Sequence, residues 1–175
     1  TVHGVGLHGL KPAPGPIYLG NSGTSMRLLS GLLAAQPFDS TLTGDPSLSK
    51  RPMNRVAKPL REMGAVIETG PEGRPPLTIR GGQRLTGMSY EMPMASAQVK
   101  SCLLLAGLYA DGDTSVREPS LSRDHSERMF TLFGASLETF HNGVTVKGGV
   151  LMRALSGSGR RATQDIDLDF VRYPM

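Results

Sequence analysis

Two clusters of small polar residues each open directly into an apolar run, and chemistry in this chain would be done there. GNSGT at 20–24 leads into the run 26–35, and SAQVKS at 96–101 leads into the run 102–110. A buried helix whose positive end emerges among Gly, Ser, Thr and Asn is a natural anion site, because unpaired amides and the helix dipole converge there. Cations stand close in sequence: Arg27, then Lys50, Arg51 and Arg55 in SKRPMNR, Lys100, and Arg123 in SRDH. Arg27 can serve as an ion-pair partner in a buried helix or as a ligand contact. Lys50 and Arg55 suit a solvated or structural role, and Lys100, one turn from Ser96, fits either.

Other chemistries fall away on spacing. Asp124, His125 and Ser126 are consecutive, and neighbours on a helix point in different directions, so they form no relay among themselves. His3, His8 and His141 share no metal-ligand spacing with Cys102. Cys102 sits in an apolar helix, where a thiol packs. A single cysteine excludes an internal disulfide and suits a reducing cytoplasm.

Composition fits a folded domain that handles small anions. Hydrophobic content is 38% and charged content 19%, and no apolar run approaches the roughly 18 residues of a membrane span. No basic-then-apolar leader opens the chain. The net charge of +4 favours anionic ligands, while the dispersal of Lys and Arg argues against a nucleic-acid patch.

The elements that position these groups come in two copies. PSLSKRP from Pro46 runs on to MGAVIET, and PSLSRDH from Pro119 runs on to FGASLET. Pro46 and Pro119 are 73 residues apart and Gly64 and Gly134 are 70 apart, so the second copy is shorter by about one helical turn. Upstream, RLLSGLLA from Arg27 answers LLLAGLYA from Leu103. Such a unit exceeds the roughly 20–50 residues of a solenoid repeat and reads as a duplicated subdomain.

Each copy reads as strand, helix, strand, helix and hairpin. In the first, PIYLG (16–20) is a strand, and 22–36 is an apolar helix capped by Asn21, Ser22, Thr24 or Ser25. Residues 39–43 alternate as a strand, 54–63 form a second helix, and 66–68 pairs with 77–80. In the second, 88–92 is a strand, 96–109 an apolar helix, 114–118 a strand and 123–133 an amphipathic helix. Residues 136–140 and 144–148 pair across His141, Asn142 and Gly143, with Asn-Gly as the turn signal. Both apolar helices are expected to be buried all round.

LGNSGTSMRLLSG (19–31) and LTGDPSLSKRPMNRVAKPLREMGA (42–65) resemble the signature pair of the 5-enolpyruvylshikimate-3-phosphate synthases. SAQVKSCLLLAGLYADG (96–112) and SRDHSERM (122–129) resemble their bacterial forms, and the similarity runs from about residue 5 to 149. The resemblance implies an α/β fold of the inside-out barrel type, with repeated βαβαββ units around buried parallel helices. This chain would hold about two of the three units of one lobe: residues 1–84, residues 85–149, and a divergent tail at 150–175. It further implies a cytoplasmic transferase of aromatic amino acid biosynthesis that moves the enolpyruvyl group of phosphoenolpyruvate to shikimate 3-phosphate. No metal or organic cofactor is expected, and neither nucleic acid nor membrane is an expected partner.

Carried over by motif, Asn21, Gly23, Thr24, Arg51 and Gln98 would bind phosphoenolpyruvate, in the pocket that glyphosate occupies in the family. Ser96, Ala97, Gln98 and Arg123 would bind shikimate 3-phosphate. The planar fork of Arg51 suits a carboxylate or phosphate better than lysine. Ala97 stands where some relatives have a second serine, and Leu28 where others have proline.

The family's first unit would precede Thr1, and its second lobe, with the acid and base candidates, would follow. No certain catalytic residue is therefore expected in this chain, and activity on its own is doubtful. The alternative function is a non-catalytic anion-binding or interaction domain that retains the scaffold. In the tail, the alternation at Ile166, Leu168 and Phe170 would allow an edge strand.

Overall fold

The computed structural model of the chain describes residues 3–148. In the first copy β1 (Ile17–Tyr18) runs parallel to β2 (Ser40–Thr43), with helix α1 (Gly23–Ala34) as the crossover. Helix α2 (Asn54–Glu62) follows, and β3 (Val66–Thr69) and β4 (Leu77–Arg80) form an antiparallel hairpin. Strand β4 also pairs antiparallel with β2, giving the order β1-β2-β4-β3.

The second copy repeats this connectivity. Strand β5 (Ser89–Glu91) runs parallel to β6 (Thr114–Arg117) across helix α3 (Ala97–Gly107). After helix α4 (His125–Leu132), β7 (Leu137–Phe140) and β8 (Gly143–Val146) close the order β5-β6-β8-β7. The duplication read from the sequence is thus a duplication of topology.

The matching MGA and FGA anchors are helix stops. At Gly64 (φ 101°) and Gly134 (φ 82°) the backbone enters the left-handed region. There the amides of Gly64 and Ala65 reach the carbonyls of Arg61 and Leu60, and those of Gly134 and Ala135 reach Thr131 and Phe130. Each set closes a Schellman motif, which glycine enters without steric cost.

One apolar core runs through both copies, with Met26, Leu42, Leu60, Ile79, Leu103 and Leu104 among its fully buried side chains. Amphipathic α2 contributes Val56, Ala57 and Leu60 from one face, as its polar and apolar spacing requires. Helices α1 and α3 pack on one another, and at their crossing a β-carbon on Gly31 would stand 2.0 Å from the carbonyl oxygen of Cys102.

Three expectations are corrected. Helix α1 is not buried all round: Leu28 and Leu32 are only half-buried, because α3 and the sheet cover its other faces. Helix α4 starts at His125, leaving Arg123 in the preceding loop. In the last hairpin Phe140 pairs with Gly143, so the loop is His141–Asn142, and neither residue has a positive φ. Gly143 is needed there for space: a β-carbon would come within 2.4 Å of the Phe140 ring. Two 3-10 turns, Leu48–Lys50 and Pro71–Gly73, were not anticipated. The tail with Ile166, Leu168 and Phe170 lies outside the described residues.

Candidate active site

The turn that opens α1 is built so that Arg51 reaches it. Asp45 is tied to the end of β1 through its amide on the Gly20 carbonyl (2.9 Å), and its carboxylate accepts from the Leu48 amide (2.7 Å). The 3-10 turn that follows delivers Arg51, whose Nη2 donates to Asn21 Oδ1 at 2.5 Å. Of the four candidate caps for α1, Ser22 takes the role, its Oγ accepting from the Ser25 amide at 3.1 Å. A helix start leaves its first amides without intrahelical partners, and a hydroxyl cap satisfies only one of them.

Ser96 caps α3 in the same way, accepting from the Val99 amide at 3.4 Å. The two helix starts are joined through Gln98. Arg27 Nη1 donates to Gln98 Oε1 at 2.6 Å, and Gln98 Nε2 donates to Thr24 Oγ1 at 2.8 Å. The same Arg27 nitrogen also reaches the Gly23 carbonyl at 3.4 Å.

Gly23 holds open the space between two guanidinium groups. A β-carbon there would stand 3.1 Å from Arg27 Nη1 and 3.2 Å from Arg51 Nη1. Burial lowers the pKa of Arg27, and the neighbouring charges of Arg55 and Arg51 lower it further. Three cations thus crowd one another beside the start of α1, where like charge disfavours the charged form of Arg27.

Beside them opens a cleft of about 680 Å³, whose wall includes Thr24, Ser96, Ala97, Gln98, Ser122 and Arg123. The expected site residues therefore fall into two adjoining groups. Asn21, Gly23 and Arg51 cluster at the tip of α1, while Thr24, Ser96, Ala97, Gln98 and Arg123 border the cleft. A separate cavity of about 300 Å³ shares Ser96 but is otherwise walled by residues such as Lys58, Tyr90 and Met92.

Lys100 belongs to neither group. Its Nζ lies 2.6 Å from Glu118 Oε1 and 2.6 Å from Glu127 Oε1, inside the protein. Burial works against the charge, but the two carboxylates outweigh it and raise the pKa of Lys100. Ser122, on the cleft wall, donates to the other oxygen of Glu118. Ser101 and Ser126, also on that wall, share a hydrogen bond of 2.6 Å. Sequence reasoning missed Ser101 and Ser126 because they meet across 25 residues of chain, and missed Ser122 because its partner Glu118, only four residues away, is turned toward it by the buried pairing with Lys100. Cys102 packs, as expected, and burial pushes its thiol up to about 12.

The repeated βαβαββ scaffold is shared with enolpyruvyl transferases. The crystal structure of the enolpyruvyl transferase NikO from Streptomyces tendae superposes with a TM-score of 0.56 at 16% identity, covering 71% of this chain and 29% of that one. The similarity becomes specific with EPSP synthase from Acinetobacter baumannii, at a TM-score of 0.83 and 62% identity over 84% of this chain and 33% of that chain. The 3-phosphoshikimate 1-carboxyvinyltransferase of Pelobacter propionicus is 64% identical over 155 residues, 88% of this chain and 36% of the relative. That of Methylococcus capsulatus is 64% identical over 148 residues, 85% and 34% respectively. The family model for EPSP synthase (3-phosphoshikimate 1-carboxyvinyltransferase) matches residues 1–156, and the chain belongs to that family. It spans about a third of the length of the curated relatives it matches. No helix among the described residues is long and apolar enough to cross a membrane.

Proposed function

We propose that this chain supplies half of an active site that transfers the enolpyruvyl group of phosphoenolpyruvate to the 5-hydroxyl of shikimate 3-phosphate. The observation that carries this reading is the bridge from Arg27 through Gln98 to Thr24, which draws two anion-seeking helix starts into one site. Both substrates are polyanions, so the chain's task is to bind and orient them and to offset their charge. Asn21, Gly23, Thr24, Arg51 and Gln98 take phosphoenolpyruvate, and glyphosate competes for that place. Ser96, Ala97, Gln98 and Arg123 take shikimate 3-phosphate. The hydroxyl oxygen of shikimate 3-phosphate bonds to the phosphate-bearing carbon of phosphoenolpyruvate as the hydroxyl loses its proton and the methylene carbon gains one, and the tetrahedral adduct then loses phosphate and a methyl proton as the new enol ether forms. The acid and base for those proton transfers come from a second lobe, which closes over the cleft and excludes water.

On this reading the units are 1–84 and 85–149, 150–175 is a divergent tail, and the enzyme works in the cytoplasm. The test is a nuclear magnetic resonance titration of the chain with each substrate, alongside an assay of phosphate release. We expect no turnover, weak binding, and shifts concentrated at residues 20–24, Arg51 and 96–98. Turnover by the chain alone, or shifts centred elsewhere, would overturn the half-site account.

A further inference from the structure

We infer that Arg27 is a positioning residue that sets which way the Gln98 amide faces, and that it acts on the substrates only through that amide. The inference rests on the reading of the cleft given above.

Both hydrogens on Arg27 Nη1 have protein acceptors, Gln98 Oε1 at 2.6 Å and the Gly23 carbonyl at 3.4 Å. Arg27 is absent from the cleft wall, whereas Thr24 and Gln98 are part of it. A carboxamide carries an acceptor oxygen and a two-donor nitrogen, and turning it over exchanges them. Turned over, the Gln98 nitrogen would face the guanidinium donor to donor, and its oxygen would face Thr24. With Arg27 in place, Oε1 is held inward and Nε2 spends one N–H on Thr24 at 2.8 Å. The second N–H remains for an acceptor such as a phosphate or carboxylate oxygen. Burial and the Arg51 and Arg55 charges keep Arg27 from being a comfortable isolated cation. The fork nonetheless suits the task, because a planar guanidinium holds one acceptor in a fixed direction.

The experiment is a double-mutant cycle in the 175-residue chain, with Arg27→Met and Gln98→Leu alone and combined. Shikimate 3-phosphate affinity is read by titration, and the Gln98 side-chain amide resonances are followed without ligand. Arg27→Met should weaken binding about tenfold in the parent, a loss of about 1.4 kcal/mol. In the Gln98→Leu background it should change binding less than about twofold, the mark of action through one shared partner. It should also bring the two Gln98 amide protons toward the shifts of a freely rotating side chain. An equal loss in both backgrounds would mean that Arg27 touches the ligand itself, and would overturn the inference. Unchanged amide resonances would overturn it as well. If the parent chain does not bind the ligand, the site reading fails, while the ligand-free resonances still decide the orientation. Should Arg27→Met not fold, Arg27→Lys replaces it: unaltered affinity and amide shifts would show that charge alone suffices and would overturn the inference.

Discussion

Lys100 and Glu118 face each other at 2.6 Å with side chains only 4% and 2% exposed. Glu127, also 2.6 Å from the ammonium group, completes a triad, with one carboxylate oxygen lacking a partner among the described residues. The triad joins α3 to the end of β6 and to α4, so it locks the second copy together behind the cleft. Breaking a buried ion pair strands a charge in a medium that solvates it poorly. Lys100→Met should therefore cost about 3–5 kcal/mol of unfolding free energy in urea. Replacing all three residues with apolar ones of similar volume should recover much of that loss, and failure to recover it would show that the triad does more than hold the elements together.

Stability should fall on the alkaline side earlier than surface groups would dictate. The Cys102 thiol ordinarily ionises near 9.0, and burial moves it to about 12 in the fold. Between those values the folded state holds a proton that the unfolded state has released, so stability declines as pH rises. The slope approaches about 1.4 kcal/mol per pH unit for one such group. Tyr90 and Tyr109, raised mainly by burial, add to the decline above 10.0. Lys100, whose pKa is also raised, contributes stability that is complete below 10.5 and lost as pH climbs through its folded value. Urea melts of Cys102→Ala between pH 9 and 10 should lose stability less steeply with pH than the parent, the remaining slope coming from the tyrosines and Lys100; a slope equal to the parent's would refute the assignment to this thiol.

Gly31→Ala tests the helix crossing. Its methyl group would meet the Cys102 carbonyl at 2.0 Å, where backbone rather than a pliable side chain must give way. Despite alanine's better helix propensity, the variant should lose about 1–3 kcal/mol or more. Calorimetric melting at neutral pH reads the loss, and a gain in stability would mean that the helices are not held so close.

Gly23→Ala should act on binding instead. Its methyl would press on the tips of Arg27 and Arg51 at 3.1 and 3.2 Å, and long side chains can yield by a few tenths of an ångström. The fold should keep its stability within about 1 kcal/mol. In an enzyme completed with the second lobe, glyphosate affinity should drop more than shikimate 3-phosphate affinity. Equal losses would contradict the assignment of Gly23 to the phosphoenolpyruvate pocket.

The periodic parts of the fold were readable in advance, and the contacts across the repeat were not. Alternation in 40–43 and apolar spacing in α2 followed from local rules, and Ser22 was one of the four caps open for α1, whereas the Ser96 cap and the helix stops at Gly64 and Gly134 emerged only from the structure. Asn142-Gly143 misled because Gly143 answers to the Phe140 ring rather than to a turn. Lys100 stayed ambiguous because its carboxylate partners arrive only when β6 and α4 are in place. Arg27 was even less legible: its partner Gln98 lies 71 residues away and belongs to the other copy.

That bridge across the copies bears on origins. A lone ancestral unit could offer one helix tip, one capping serine and no crossbar. Only after its gene had doubled, or while two identical chains stood side by side, could a glutamine from one half reach the threonine of the other. The cleft, whose wall takes Thr24 from one copy and Ser96 and Arg123 from the other, therefore needs both halves, while the cluster of Asn21, Gly23 and Arg51 belongs to the first alone.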